Sequence, residues 1–396
     1  MSAKRLRPAV ALTLVLSHAV VLQAIVFAMR PTLSYAVLDN GASPALLGAL
    51  SAAFAVPALL LALPAGHAID RIGEQPALLL GAVCLIVAAA IAVFGQQSLW
   101  ALFLTTALLG MGQLLSVIGE QAIVANTISR GSSDSRFGLY TFATAIGQTV
   151  GPLLLALPGG SDATPPVALI FIICMWLGAT LLAVSAFVRS SPRAADIAHV
   201  GALKTAGALL RIPGLIRALL ASSMVLSSVD LFLAYTPALG HDRGLTAATV
   251  SIMLVARSLF SMFSRLFLGR MVDLFGRRAL MVSTITVSAV ALCCFAFSLS
   301  DPWLIVVSSV FGFAVGTCQP ITMSWISDLA PHGTRGLAMS LRLASNRLGQ
   351  TVLPATLGAF AAVAGAAGVL VATGVTLFGA AWSSSAVGST AQAEEA

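Results

Sequence analysis

The sequence predicts an all-α membrane protein of twelve transmembrane helices in two repeated six-helix bundles. Three observations predict it: a composition too apolar for water, twelve runs long enough to cross a bilayer, and two short strings that recur at one spacing.

Of 396 residues, 58% are hydrophobic and only 9% charged, with a mean hydropathy of +0.98. A soluble domain carries roughly 25% charged residues. A chain this apolar has too little polar surface to cover a globule in water.

Crossing the hydrocarbon core takes about 20 apolar residues in a helix, because no water is present to satisfy the backbone amides. Such runs lie near 8–29, 45–66, 77–95, 99–121, 137–158, 165–188, 213–238, 247–268, 279–298, 303–326, 338–359 and 361–382. The division between the last two is the least marked, since 357–371 contains no charge. The first run follows Lys4, Arg5 and Arg7, as a signal peptide would, but it is overlong for that and further spans follow, so it reads as a helix of the mature protein.

Orientation follows from the cations. With both termini inside, the cytoplasmic segments hold sixteen lysines and arginines, and the external loops hold only Arg30 and Arg243. The positive-inside rule then places both termini in the cytoplasm of an integral protein of the bacterial inner membrane. The net charge of +7 is accounted for by this topology and gives no reason to expect a nucleic-acid partner. All five cysteines, Cys84, Cys174, Cys293, Cys294 and Cys318, fall inside spans without metal-ligand spacing. Neither a disulfide nor a metal site is expected.

Segment 189–212 carries Arg189, Arg193, Lys204 and Arg211 and reads as a cytoplasmic linker. It divides an N-terminal bundle, 1–188, from a C-terminal bundle, 213–382, with 383–396 a disordered cytoplasmic tail. Two strings recur across it. The string Gly66 to Gly73 (Gly-x-x-x-Asp-x-x-Gly) returns at Gly269 to Gly276, an offset of 203, and Gly147-Gln148-Thr149-Val150 returns at Gly349-Gln350-Thr351-Val352, an offset of 202. Duplicated halves with a site at their interface are the architecture of rocking secondary transporters.

The loop after the second span, with Gly66, Asp70, Arg71 and Gly73, resembles the signature loop of the major facilitator superfamily, and Gly269, Asp273, Gly276, Arg277 and Arg278 form its second copy. The resemblance implies that superfamily's fold and a latch favouring the outward-facing state, with Asp70 near the start of helix eleven and Asp273 near the start of helix five. Physically, Gly66 and Gly269 would permit close backbone approach, and the aspartates would face helix N-termini; a helix-capping turn is the alternative. The first copy lacks the arginines of the second. Since Asn126 stands where the second half has Asp328, an Arg277–Asp328 ion pair is expected in the C-terminal half alone.

A second resemblance lies in the fifth span, where Gly138, Gly147, Gly151 and Pro152 are spaced as in the motif of the proton-coupled drug exporters of that superfamily, without its final glycine pair. It implies exchange rather than leakage; a generic small-residue interface is the alternative. The arginine such exporters usually carry four residues before Gly110-Met111-Gly112 is replaced by Thr106.

Ionisable groups inside a bilayer are costly, about 2.5–3.5 kcal/mol each on insertion scales, and so point to function. Asp230 in helix seven shares a stripe with Ser223 and Ser227, and Arg257 in helix eight shares one with Ser261 and Ser264. Their depths, roughly 12 and 15 Å from the external helix ends, allow a pair. Helix eleven carries Arg342, Asn346 and Gln350 at helical spacing, with Arg347 turned about 100° away. One arginine would face the cavity and the other a neighbour, or Arg342 would snorkel to the inner interface. Glu120 is a gate acid or an interfacial charge. His18, Gln23, Gln113, Gln148 and Gln319 are further candidate cavity donors, each taken singly better suited to a helix–helix hydrogen bond than to a ligand contact.

Three arginines against one aspartate favour an anionic or zwitterionic solute. Asp230, with Glu120, is the candidate proton carrier, since burial disfavours its charged form while an adjacent guanidinium favours it; a permanently ionised structural pair is the alternative. No His-Glu-x-x-His, phosphate loop or nucleophile elbow is present, so no enzyme, cofactor or ATP site is expected. The expected function is proton-coupled antiport exporting a small organic solute, with proton-coupled import of an organic anion as the alternative; the expected partners are the solute, protons and lipid, in a monomer.

Overall fold

A computed structural model describes residues 8–126, 133–159, 163–188, 207–330 and 335–385. Among the described residues twelve long helices follow one another: α1 (Pro8–Asp39), α2 (Ala45–Ile72), α3 (Glu74–Gly95), α4 (Leu99–Asn126), α5 (Ser133–Val150), α6 (Val167–Phe187), α7 (Leu215–Arg243), α8 (Ala247–Phe275), α9 (Arg277–Cys294), α10 (Asp301–Leu329), and a final run, Arg335–Ser385, that breaks into α11 (335–364) and α12 (366–385). The break is at Gly365, whose φ of 64° lies in the left-handed region that glycine tolerates. Beyond it, the carboxylate of Asp242 accepts the backbone N–H of Ala366 at 3.4 Å and caps the new helix. The apolar stretch Leu341–Ser383 has 43 residues, about 65 Å of helix, twice the hydrocarbon thickness. It is therefore two spans, divided at Gly365 rather than near residue 360.

Ten described stretches are long and apolar enough to cross a membrane, Leu341–Ser383 counting as one of them; α2 contributes the shorter apolar stretch Ala45–Leu61. Large apolar side chains point outward, as lipid requires: Val87, Trp176 and Leu266 are exposed along the helices, while Trp100, Trp303 and Trp382 stand near helix ends, where aromatic side chains favour the membrane interface. All five cysteines are unpaired thiols.

The chain forms two compact units: Met1–Ala42 with Ala53–Asp196 and Gly244–Val255, and Ser43–Ala52 with Ile197–Arg243 and Ala256–Ala396. Each unit thus takes in the opening turns of one helix from the other half of the sequence, α2 in one case and α8 in the other. In the second unit the start of α2 meets α11. A methyl group on Gly48 would clash with the Pro354 carbonyl and lie 2.6 Å from the Gly358 Cα. In the first, the Ser251 hydroxyl of α8 donates to the Pro152 carbonyl at 2.7 Å.

The recurring strings do equivalent work within their units. Gly147 lets α5 cross α1, where an added Cβ would lie 2.7 Å from the Gln23 Cβ, and Gly349 lets α11 cross α7, where it would lie 3.0 Å from the Ser227 Oγ. Gly151 extends the first crossing, 2.6 Å from the Ala24 carbonyl by the same measure, and at Gly151–Ala156 the α-helix passes into a 3-10 turn carrying Pro152. Gly138 has open space around it and takes no part. The crossing role of Gly147 is matched by Gly349, so it is a property of the duplicated fold.

The signature loops differ from expectation. Gly73 (φ 96°) and Gly276 (φ 73°) turn the chain between α2 and α3 and between α8 and α9, a conformation that disfavours any side chain. Gly269 has nothing within 4 Å of an added Cβ, so it makes no close helix approach. Asp273, Arg277 and Arg278 are exposed. The side chains of Gly66, Asp70, Arg71 and Asp328, and with them the first latch and the Arg277–Asp328 pair, lie outside the described residues. Gly276→Ala is expected to destabilise by about 1–2 kcal/mol and Gly269→Ala to be neutral, read as thermal midpoints of the detergent-solubilised protein.

Candidate transport site

In the first unit the decisive group is Glu120. The sequence suggests that it ends its helix, but α4 runs on to Asn126, and Glu120 is wholly buried. Its Oε1 lies 2.6 Å from Nδ1 of His18 on α1, and its Oε2 accepts the Tyr140 hydroxyl of α5 at 2.8 Å. The other imidazole nitrogen, Nε2, is 3.0 Å from Oγ of Ser185 on α6, whose hydroxyl hydrogen is given to the Leu181 carbonyl at 2.8 Å. Four helices therefore converge on one acid–base pair among apolar neighbours that include Val15, Ala19, Leu78 and Val124. Both members are shielded from solvent, so His18 does not line an open cavity in this conformation. Ser185 escaped the sequence reading because serine hydroxyls in apolar helices ordinarily bond back to their own turn, as this one also does, and Tyr140 because its partner stands on another helix.

A second group unnoticed in the sequence is Arg30. Reading the first charge as the end of the span placed it in an external loop, yet α1 continues to Asp39 and Arg30 is buried, its guanidinium 4.4 Å from the centroid of the Phe54 ring. A cation over an aromatic face recovers part of the cost of holding such a charge out of water, about 2 kcal/mol when desolvated. The clue was the apolar run Leu33 to Leu38 beyond it. Arg243, the other supposed loop cation, ends α7 and donates to the Phe295 carbonyl. Neither is a free loop charge.

In the second unit the stripe on α11 faces α7 along its length. Nε of Arg342 donates to Ser222 at 3.1 Å, the Ser222 hydroxyl donates to the Asn346 side-chain carbonyl at 3.0 Å, and Nε2 of Gln350 donates to Oδ2 of Asp230 at 2.6 Å. Arg347 completes the chain from the adjacent face, giving Nη1–H to the Gln350 carbonyl oxygen at 3.1 Å. Gln350 thus bridges a guanidinium to a buried carboxylate. Arg342 is buried, while Arg347 is half-buried. Arg257 is 2% exposed on α8, where Gly312 of α10 lets the two backbones cross at that residue, and it donates to Ser258 at 2.5 Å. Arg265, two turns further along α8, is half-buried.

Of the remaining candidates, Gln23 is buried at the crossing of α1 and α5, while Gln113, Gln148 and Gln319 are half-buried. Among the described residues no cluster of three or more histidines, cysteines or acids is placed to hold a metal ion. Each unit thus holds its own cluster of buried ionisable groups and hydrogen-bonding side chains, the residue types that suit charged solutes and protons inside a membrane.

A sequence model described as Major Facilitator Superfamily matches residues 15–246 and 218–387. No curated protein matches the sequence. Among solved structures, the fold is similar to that of the nucleoside transporter NupG (TM-score 0.74, 14% identity, 95% of this chain and 98% of that one). It is similar to the D-xylose-proton symporter (0.78, 14% identity, 95% and 98%) and to the human organic anion transporter MFSD10 (0.67, 18% identity, 96% and 100%).

Proposed function

This chain belongs to the major facilitator superfamily and is a membrane transporter rather than an enzyme, and we propose that it moves a small organic anion across the bacterial inner membrane together with protons. The observation that carries this reading is the hydrogen-bonded chain from half-buried Arg347 through Gln350 to buried Asp230. Arg257, in this reading the ionic partner of Asp230, and Arg342 are buried in the same unit, so fixed positive charge exceeds negative. A solute carboxylate or phosphate would draw the guanidiniums to itself. Asp230, released from the Gln350 amide, would then be the acid available to take up a proton beside the solute. Anion and proton load together, the condition for symport. Both termini face the cytoplasm in this reading, and the protein works as a monomer.

Export by antiport is the second reading, favoured by the spacing of Gly138, Gly147, Gly151 and Pro152. Less speaks for it than the sequence suggested: Gly138 packs against nothing, the role of Gly147 recurs at Gly349, and Thr106 stands where the exporters' arginine would be.

Asp230→Asn is expected to abolish proton-driven accumulation while leaving solute exchange down its own gradient. Growth and susceptibility screens of deletion and overexpression strains would first identify the solute and its direction, and paired uphill and counterflow assays in proteoliposomes would then test the variant. Undiminished uphill transport by Asp230→Asn would end the coupling assignment.

A further inference from the structure

Hydrogen bonds on three sides constrain the protonation of the His18–Glu120 pair. With the one hydrogen of Ser185 Oγ directed to the Leu181 carbonyl, that oxygen accepts toward His18. Imidazole Nε2 then carries a hydrogen. Two forms then satisfy the 2.6 Å contact between Nδ1 and Oε1: imidazolium with carboxylate, or neutral imidazole with carboxylic acid. Both hold one proton between those two atoms, and both are neutral overall. The Tyr140 hydroxyl occupies Oε2 as a donor in either case. Removing the shared proton would leave a wholly buried carboxylate against a nitrogen lone pair, which the closed cluster cannot hold.

We infer that His18 and Glu120 form a second proton-carrying site, loaded in the conformation described, whose proton leaves only when α1 parts from α4. On opening, the proton passes to water, leaving the Glu120 carboxylate and an imidazole protonated at Nε2. Hydration and the Tyr140 hydroxyl then stabilise the charge. Around the pair, α4 contributes Glu120 itself, α5 the titratable Tyr140 and α6 the Ser185 hydroxyl; no described lysine, arginine or aspartate bonds to any of the four. The site differs in depth from Asp230. Glu120 is six residues from the end of α4, about 9 Å, whereas Asp230 is 13 residues from the nearer end of α7, about 20 Å. One acid is thus stationed near the middle of its span and the other near the inner end of its helix.

The inference extends the proton coupling proposed above, and its test uses the proton as the only ligand. A cysteine introduced at Val15, which packs in the same cluster, reports opening through its reaction with a small maleimide in an otherwise cysteine-free protein. If opening releases one proton, the opening equilibrium should change about tenfold per pH unit beyond the thiol's own ionisation. In Glu120→Gln, which mimics the neutral acid, that extra dependence should vanish. Equal pH dependence in the two backgrounds would overturn the inference. Should Glu120→Gln fail to fold, nitrogen NMR of histidine-labelled wild-type protein, assigned with His18→Gln, decides independently: His18 must show a proton on Nε2, and a bare Nε2 overturns the assignment. Neither readout involves solute transport. Failure of Asp230→Asn to uncouple transport would refute the proposed coupling and leave this site standing.

Discussion

Replacing His18 by leucine while Glu120 remains is expected to lower stability by about 3–5 kcal/mol, the cost of stranding a buried charge by removing its partner. Glu120 has no exposed surface, and Tyr140 alone would remain to bond its carboxylate. The double replacement His18→Leu with Glu120→Leu should recover most of the loss, because an apolar pair of similar volume suits apolar surroundings and avoids desolvating two ions. Thermal midpoints from size-exclusion profiles of heated detergent extracts would give the full double-mutant cycle. The recovered protein should nonetheless have lost the pH dependence of Val15→Cys labelling, which separates the proton function from the structural one. If the double replacement is no more stable than the single one, the pair does not behave as a coupled unit.

Enlarging Gly48 should displace the conformational equilibrium. In the structure described, the start of α2 lies directly against α11, with no room for a methyl group between Gly48 and the Pro354 carbonyl, and the Tyr235 hydroxyl lies 3.0 Å from where a Cβ on Gly358 would stand. Gly48→Val must force these helix ends apart. Overpacking of this kind costs about 1–3 kcal/mol. A penalty confined to the state in which α2 and α11 touch shifts the ratio of states by about 5- to 150-fold against it. A cysteine placed at Ser43 should become correspondingly more reactive toward an impermeant maleimide, and net transport should fall because the cycle cannot pass through the closed arrangement. Gly358→Val is expected to behave alike, and Gly379→Val, which has open space around it, should not. Unchanged Ser43→Cys labelling in Gly48→Val would mean that the contact bears no part of the equilibrium.

The helices were legible in the sequence because the bilayer admits so few solutions: apolar length, loop cations and glycine turns had to fall where they did. Helical spacing also placed Arg342, Asn346 and Gln350 on one face, and all three meet α7. What periodicity could not supply was which partner each group finds. Arg30 looked like the end of a span because its compensation, the Phe54 ring, comes from another helix. Glu120 looked interfacial because it is the first charge after a long apolar run and Gln121 follows it, although α4 continues to Asn126. His18 and Glu120 are 102 positions apart, and nothing local to either indicates the other. Gly269 shows the opposite error: its place in a repeated string suggested close packing, whereas in this conformation the turn glycine Gly276 bears the steric demand.

The exchange of opening helix turns between the two compact units bears on biosynthesis. Ser43–Ala52 is synthesised and inserted early, but the surface it settles on, around Pro354 to Gly358, emerges some three hundred residues later. The beginning of α2 must therefore wait in lipid with its small-residue face unpartnered until the chain is nearly complete. Truncation after the sixth helix should yield a bundle that inserts yet stays open to proteolysis at that segment, and supplying the second half as a separate polypeptide should close it.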